Sequence, residues 1–289
     1  MPEHISPFSP SRPTPAWHGL CRLLNGMRLD ENGWWNRLVS DREAVFRVDE
    51  SEVTMRLHGN VFAEIGLREG APRCRIEPEH LLLGHPGART VLDDGEGDVR
   101  HVRSLSELAA RYSHVRRRVC RHTDRRQAIL DRLFLRHSCV LAVDVPCPPG
   151  RIDLVALSPQ GTAVFFLLRR YADGDLRLKG RGGITWRMAE ADRWLADTAA
   201  AGAWVRGLLE RCSALETRHS RRYRMPGTIA VHPFTRLLVV DFDHAQRLGG
   251  LPSLRASLED GLDRSAARSD IHCLGDAGNI SYGTFFSGI

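Results

Sequence analysis

Between Cys139 and Tyr171 the chain holds three short apolar runs, CVLAVDVP, IDLVAL and TAVFFLLRRY, separated only by the turn sequences CPPGR and SPQG. Runs of this length, rich in Val, Leu, Ile and Phe and bounded by Pro and Gly, are too short for buried helices and read as strands of a sheet core. Turns of four or five residues join antiparallel neighbours and leave no room for a crossover helix. A helical pattern, DRRQAILDRLFLRH, stands before the three runs. A longer one follows from about Thr185 to Leu215, where Trp186, Ala189, Trp194, Leu195, Val205, Leu208 and Leu209 recur at helical spacing. TIAVHPF and RLLVVDF close the block as a strand pair. The order is α-β-β-β-α-β, which predicts an α/β core.

The amino-terminal part has a different period. Residues 1–16 hold five prolines and almost no large apolar side chains, so they are expected to form a disordered tail. A short helical pattern runs from Trp17 to about Arg37. EAVFRVDE, SEVTMRLHG, NVFAEIGLRE and PRCRIEP then alternate apolar and polar residues between turn signals such as His58-Gly59-Asn60, the signature of antiparallel strands. Residues 17–103 are therefore expected to form a smaller β-rich domain, 104–250 the α/β domain, and 251–289 a carboxyl-terminal extension. DDGEGD, at 93–98, lacks the spacing and closing Glu of a calcium loop and reads as a solvated turn. Ser104, three residues before Glu107, forms a capping-box pattern that starts a helix.

A chain of 289 residues with 42% hydrophobic content has enough apolar surface for one large domain or two ordinary ones. It contains no run of about 18 apolar residues and no signal-peptide pattern, so a cytoplasmic protein with no membrane partner is expected. Seven cysteines, an odd number without C-x-x-C spacing, point to reduced thiols. The net charge of +6 matters less than its placement, because Arg111–Arg126 carries seven arginines against one aspartate. A second run, RHSRRYR, follows at 218–224. Arg116, Arg117, Arg118, Arg121, Arg125, Arg126, Arg221 and Arg222 are the candidate phosphate contacts, and a DNA or RNA backbone is the expected partner. Runs of cations also form ordinary solvated faces. Of the 41 basic residues only Lys179 is a lysine, a skew that a GC-rich genome explains without chemistry.

GRIDLVAL, at 150–157, places an Asp at the start of one apolar strand, and TAVFFLLRR ends the next in Arg-Arg. Over residues 120–245 the pattern resembles the restriction-endonuclease-like nucleases, named for their PD-(D/E)XK signature. In that family the first of these strands carries a metal-binding Asp and the second ends Glu-x-Lys. The carboxylates hold a divalent ion that activates water, and the lysine helps to position that water. Asp153 stands at the Asp position, Leu167 at that of the Glu and Arg169 at that of the Lys. Leucine offers no oxygen, and an arginine binds phosphate without proton chemistry.

The resemblance therefore implies a restriction-endonuclease-like core with its catalysis withdrawn: a nucleic-acid-binding pseudo-nuclease without a cofactor. Asp153, Arg169 and Lys179 are then vestigial or displaced catalytic positions. One alternative is an active Mg²⁺-dependent endonuclease in which Asp153 shares the ion with Asp144, Asp173 or Asp175, and Lys179 replaces the lost lysine. Another is a structural or protein-interaction subunit that keeps the fold and binds a protein partner. The family adds an acid from its first helix, where Asp124 and Asp131 stand seven residues apart, but solvated surface acids are expected there. KGRGG, at 179–183, precedes a helix and offers backbone N–H groups and cations to a phosphate, outside the frame of a Walker motif. G-x-S-x-G, H-E-x-x-H and dinucleotide fingerprints are absent.

Overall fold

The computed structural model describes residues 13–31, 33–68, 70–76, 90–92, 105–120, 124–262 and 270–288. The chain divides into two compact units. Of the described residues, one comprises those up to Leu135 with Gly207–Met225, and the other Arg136–Arg206 with those from Pro226 onward. Most of the expected tail, the DDGEGD turn and Ser104 lie outside the described residues.

The first unit opens with helix α1 (Pro15–Met27). The hydroxyl of Thr14 accepts from the Trp17 N–H at 3.1 Å, and Pro15 occupies the first turn, where its missing N–H costs nothing. α1 buries Trp17, Leu20 and Leu24, and helix α2 (Trp34–Ser40) buries Trp34, Trp35 and Leu38. Strands β1 (Ala44–Val48), β2 (Val53–Leu57), β3 (Asn60–Arg68), β4 (Ala71–Ile76) and β5 (Thr90–Leu92) form an antiparallel meander in chain order, as the period-two pattern predicts. The β2–β3 hairpin turns on His58 and Gly59, with φ of 50° and 89°, the left-handed pair of a two-residue type I′ turn. Helices α3 (Leu105–Val119) and α4 (Arg125–Arg136) follow. α3 buries Leu108, Tyr112, Val115 and Val119, one stripe at helical spacing.

The second unit contains β6 (Val140–Cys147), β7 (Gly150–Leu157) and β8 (Thr162–Arg170), then helices α5 (Ile184–Leu195) and α6 (Thr198–Ala214), the latter continuing into the first unit. β9 (Ala230–Val231), β10 (Arg236–Val240), α7 (His244–Leu248), α8 (Gly250–Asp260), β11 (Ile271–Cys273) and α9 (Tyr282–Phe286) complete it. The sheet order is β11-β10-β8-β7-β6, with β6, β7 and β8 antiparallel in succession and β8, β10 and β11 parallel. This is a mixed α/β sheet. Phe165 on β8 anchors an aromatic cluster with Trp194 and Trp204, ring centroids 5.4 to 6.0 Å apart. Burying one such side chain stabilises by about 1.5–3 kcal/mol.

Three features differ from the expectations. The long helix is two helices, because Asp197 caps the second by accepting from the Ala200 N–H at 3.0 Å. TIAVHPF and RLLVVDF do not pair with each other. β9 and β10 both run parallel along β8, with Ala230 opposite Thr162 and Arg236 opposite Phe166, and the interruption holds Pro233, which has no N–H for a ladder. The segment after residue 250 supplies β11 to the sheet rather than standing outside it.

No helix of the described residues is long and apolar enough to cross a membrane. No disulfide joins the cysteines of the described residues. Burial pushes the Cys21, Cys74, Cys147 and Cys212 thiols up to about 12, which makes them inert packing groups.

Candidate functional site

The β7–β8 register sets Leu154 opposite Phe166 and so brings Asp153 level with Leu167. Asp153 is fully buried. Its Oδ2 accepts from the Leu168 backbone N–H at 2.8 Å and from Nη1 of Arg169 at 2.8 Å. The same guanidinium donates from Nη1 to the Leu168 carbonyl at 2.6 Å and from Nε to Asp175 Oδ2 at 2.5 Å. Asp175 lies in the short 3-10 turn Gly174–Leu176 beyond β8. One guanidinium thus bridges two carboxylates, and with 3% of its side chain exposed it has no water to replace them. Removing one partner of such a buried pair leaves an uncompensated charge, at a cost of about 3–5 kcal/mol.

The donor set around Asp153 does not fit a divalent ion. Oδ2 already accepts two hydrogen bonds, Leu167 supplies no oxygen, and the Arg169 cation lies in hydrogen-bond contact, where a second cation would be repelled. Among the described residues no group of three or more His, Cys, Asp or Glu is placed to hold a metal.

The other acids considered each meet an arginine. Asp144 sits between Val143, opposite Leu154, and Val145, opposite Ile152, on the strand beside Asp153. Its φ of 56° is left-handed, unusual for a non-glycine residue, and its Oδ1 pairs with Arg151 Nε at 3.1 Å. Asp173 Oδ2 accepts from the Arg170 N–H at 2.9 Å, and its Oδ1 meets the Arg170 guanidinium at 3.3 Å, closing the turn after β8. Lys179 is exposed. It belongs to a loop in which Gly180 and Gly182 have φ of 74° and 97°, and Gly183 heads α5. Arg177 stacks over the Tyr171 ring at 4.7 Å and donates to the Tyr171 carbonyl at 2.8 Å, which braces this loop.

The candidate phosphate contacts divide. Arg116 donates to Asp41 Oδ2 at 2.7 Å and pairs with Glu43, and the Tyr112 hydroxyl donates to the same Asp41 oxygen at 2.7 Å. Burial pushes the Asp41 carboxyl up, but hydrogen bonds from Tyr112, the Glu43 N–H and Arg116 outweigh it and leave the group below its ordinary value. Arg117 and Arg125 are exposed; Arg118 and Arg126 are half-buried. Arg121 and the Arg221 side chain lie outside the described residues. Arg222 closes the carboxyl end of α4, donating to the carbonyls of Phe134 and Leu135 and lying 4.9 Å from the Phe134 ring centre. His219 and Tyr223, in the same run, are buried.

Two further buried ion pairs escaped the sequence reading. Asp131, expected on the surface, is buried against Arg56 at 3.3 Å, and its Oδ2 accepts from the Gly59 N–H at 2.7 Å. Arg56 also donates to Gln127 Oε1 at 2.7 Å. The one available signal was that Asp131 adjoins the apolar stripe of Leu130, Leu133 and Phe134. In the second unit Arg236 pairs with Asp270 at 3.4 Å and donates to the carbonyls of Phe285 and Ser287 at 3.1 and 2.8 Å.

No family model matches the chain, and no curated protein or solved structure matches it either.

Proposed function

We propose that this chain is a nucleic-acid-binding protein, built on a restriction-endonuclease-like core in which a guanidinium stands where the family holds its metal. The observation that carries this reading is the 2.8 Å pair between Arg169 Nη1 and Asp153 Oδ2. The sheet supports it: three antiparallel strands, a helical crossover, and β10 returning parallel to β8. An arginine neutralises a buried carboxylate much as a metal ion does. It neither gives up a proton at neutral pH nor opens a position for water, so the step that cleaves a phosphodiester has no catalyst here.

Binding would fall to the cations left facing solvent. Arg117 and Arg125 are exposed in the first unit. In the second, Leu176–Arg187 carries four cations and no acid, with Arg177, Lys179 and Arg181 exposed. Contacts of this kind hold a backbone without reading bases, so affinity would be salt-dependent and nearly indifferent to sequence. The protein-interaction alternative is favoured by one observation, that Arg116 and Arg222 are engaged inside the fold.

The test is a pair of measurements on the purified protein. With Mg²⁺ or Mn²⁺, linear DNA, single-stranded DNA and RNA should survive as they do with the Asp153→Ala variant. Affinity for duplex DNA should fall with salt at a log-log slope of about −0.9 per phosphate neutralised. Cleavage that Asp153→Ala abolishes would refute the pseudo-nuclease reading. Failure to bind any nucleic acid at about 50 mM salt would put the interaction subunit in its place.

A further inference from the structure

We propose that the second unit carries a binding site for a phosphate monoester joined to a flat ring, represented by a nucleoside monophosphate, in the cleft at the carboxyl ends of β10 and β11. β8, β10 and β11 are parallel, so their carboxyl ends share one edge of the sheet, where ligands settle in open α/β folds. The cleft encloses about 370 Å³, within the range of small-ligand sites.

Its walls differ in chemistry. Phe242, Leu251 and Leu274 supply the apolar side, and Asp243, His244, Arg247 and Asn279 the polar one. The apolar side is braced from behind by Tyr171, whose ring centre lies 6.3 Å from that of Phe242. Two glycines permit this packing. A Cβ at Gly275 would come within 3.2 Å of the Phe242 carbonyl oxygen, and one at Gly250 would collide with the Tyr171 hydroxyl. After β10 the chain turns through Asp241 at a left-handed φ of 61°, and the Asp241 N–H donates to the Gly275 carbonyl at 2.9 Å.

The acids beside the cleft are engaged as caps. Asp243 Oδ1 accepts from the Gln246 N–H at 2.7 Å as the cap of α7, and Asp276 Oδ1 accepts from the Gly278 N–H at 2.7 Å. His244 and Arg247 are exposed, and neither makes an ion pair with another described residue. The Arg247 guanidinium and the His244 imidazole, beside an apolar wall, suit a phosphate attached to a ring that packs on Phe242; the Asn279 amide is left to hydrogen-bond the ring edge.

Calorimetry on the full chain tests the site with adenosine monophosphate, adenosine and inorganic phosphate. The nucleotide should bind, with adenosine and phosphate each at least about tenfold weaker. Arg247→Ala and His244→Ala should each weaken nucleotide binding about tenfold while leaving the melting temperature unchanged, since neither side chain is buried. A 5′-phosphorylated oligonucleotide that displaces the nucleotide would identify a strand end as the source of the phosphate, and one that does not would identify a free nucleotide; the site stands in both cases. Absence of heat at about 5 mM nucleotide, or variants that bind as the wild type does, would overturn it.

Discussion

The two units each bury an arginine against an aspartate, yet the two clusters are differently balanced. In the first, Arg56 pairs with Asp131 and donates to the neutral Gln127 amide oxygen and the Gly59 carbonyl, and Asp131 accepts from the Gly59 N–H. In the second, Arg169 meets two acids, Asp153 and Asp175, on adjoining elements. The first ties a hairpin tip to a helix. The second sets two carboxylates on one guanidinium. The difference teaches that burial and pairing alone do not mark a functional site, because a pair that braces a hairpin and a pair at a candidate site share both.

The largest expected effect comes from breaking either pair. Arg169→Ala and Arg56→Ala should each destabilise the protein by about 3–5 kcal/mol in urea unfolding, because each strands a buried carboxylate. If the clusters differ as described, Asp131→Leu with Arg56→Met should recover most of that loss. Asp153→Leu with Arg169→Met should recover less, because Asp175 keeps its charge. A loss below about 1 kcal/mol for Arg169→Ala would mean that the pair is no stronger than a surface contact.

Next in size is the rebuilt site. Leu167→Glu with Arg169→Lys restores a second carboxylate and a lysine beside Asp153. Mg²⁺ or Mn²⁺ at a hundred times its dissociation constant should then stabilise the variant by about 2.7 kcal/mol and raise its melting temperature. No metal-dependent shift would show that the two strand positions do not converge on one ion.

Acid should strain both units. His219 in the first and His272 in the second are held neutral, each pushed down to about 4, chiefly by burial and then by nearby arginines. With folded values below the ordinary value of about 6.5, their contribution is complete above that pH and is lost as pH falls towards 4. Stability should decline by roughly 1–3 kcal/mol per histidine across that window. His219→Asn should flatten part of the decline; an unchanged pH profile in that variant would remove His219 as a cause.

The smallest effects separate surface arginines from structural ones. Arg117→Ala with Arg118→Ala should reduce the slope of DNA affinity against salt by up to about one per side chain, with little change in stability. Arg222→Ala should do the reverse, leaving the slope intact and costing about 0.5–1.5 kcal/mol for the lost carbonyl bonds. If Arg222→Ala flattened the slope instead, this run would have to be reassigned to a binding face.

The strands at 140–170 and the first four strands of the meander were legible because turn residues bracket each run and the apolar period is clear. β11 was not, since three residues cannot display a period. The break at Asp197 was hidden by ADTAAA, whose alanines continue a helix as readily as they begin one. Asp153 was found from its place on a strand, but no local pattern shows that Arg169 folds back onto it or that Asp175 receives the other side of the guanidinium. Arg116 was better marked than it was read. It lies one turn beyond the buried Tyr112, so it borders the packed stripe of α3, whereas Arg117 next to it points elsewhere.

The turn at Gly59 also bears on the order in which the first unit forms. A Cβ there would come within 2.6 Å of the Ala128 nitrogen and the Asp124 carbonyl, so hairpin and helix backbone meet with nothing between them. That approach exists only once the hairpin has adopted its left-handed turn. The seat of helix α4 depends on the shape of the hairpin, and the contact closes a chain loop that takes in β3, β4, β5 and α3. Local pairing of the hairpin closes a short loop and the docking of α4 a long one, so substitutions at the hairpin turn are expected to slow refolding more than substitutions on the exposed face of α4, as stopped-flow refolding would show.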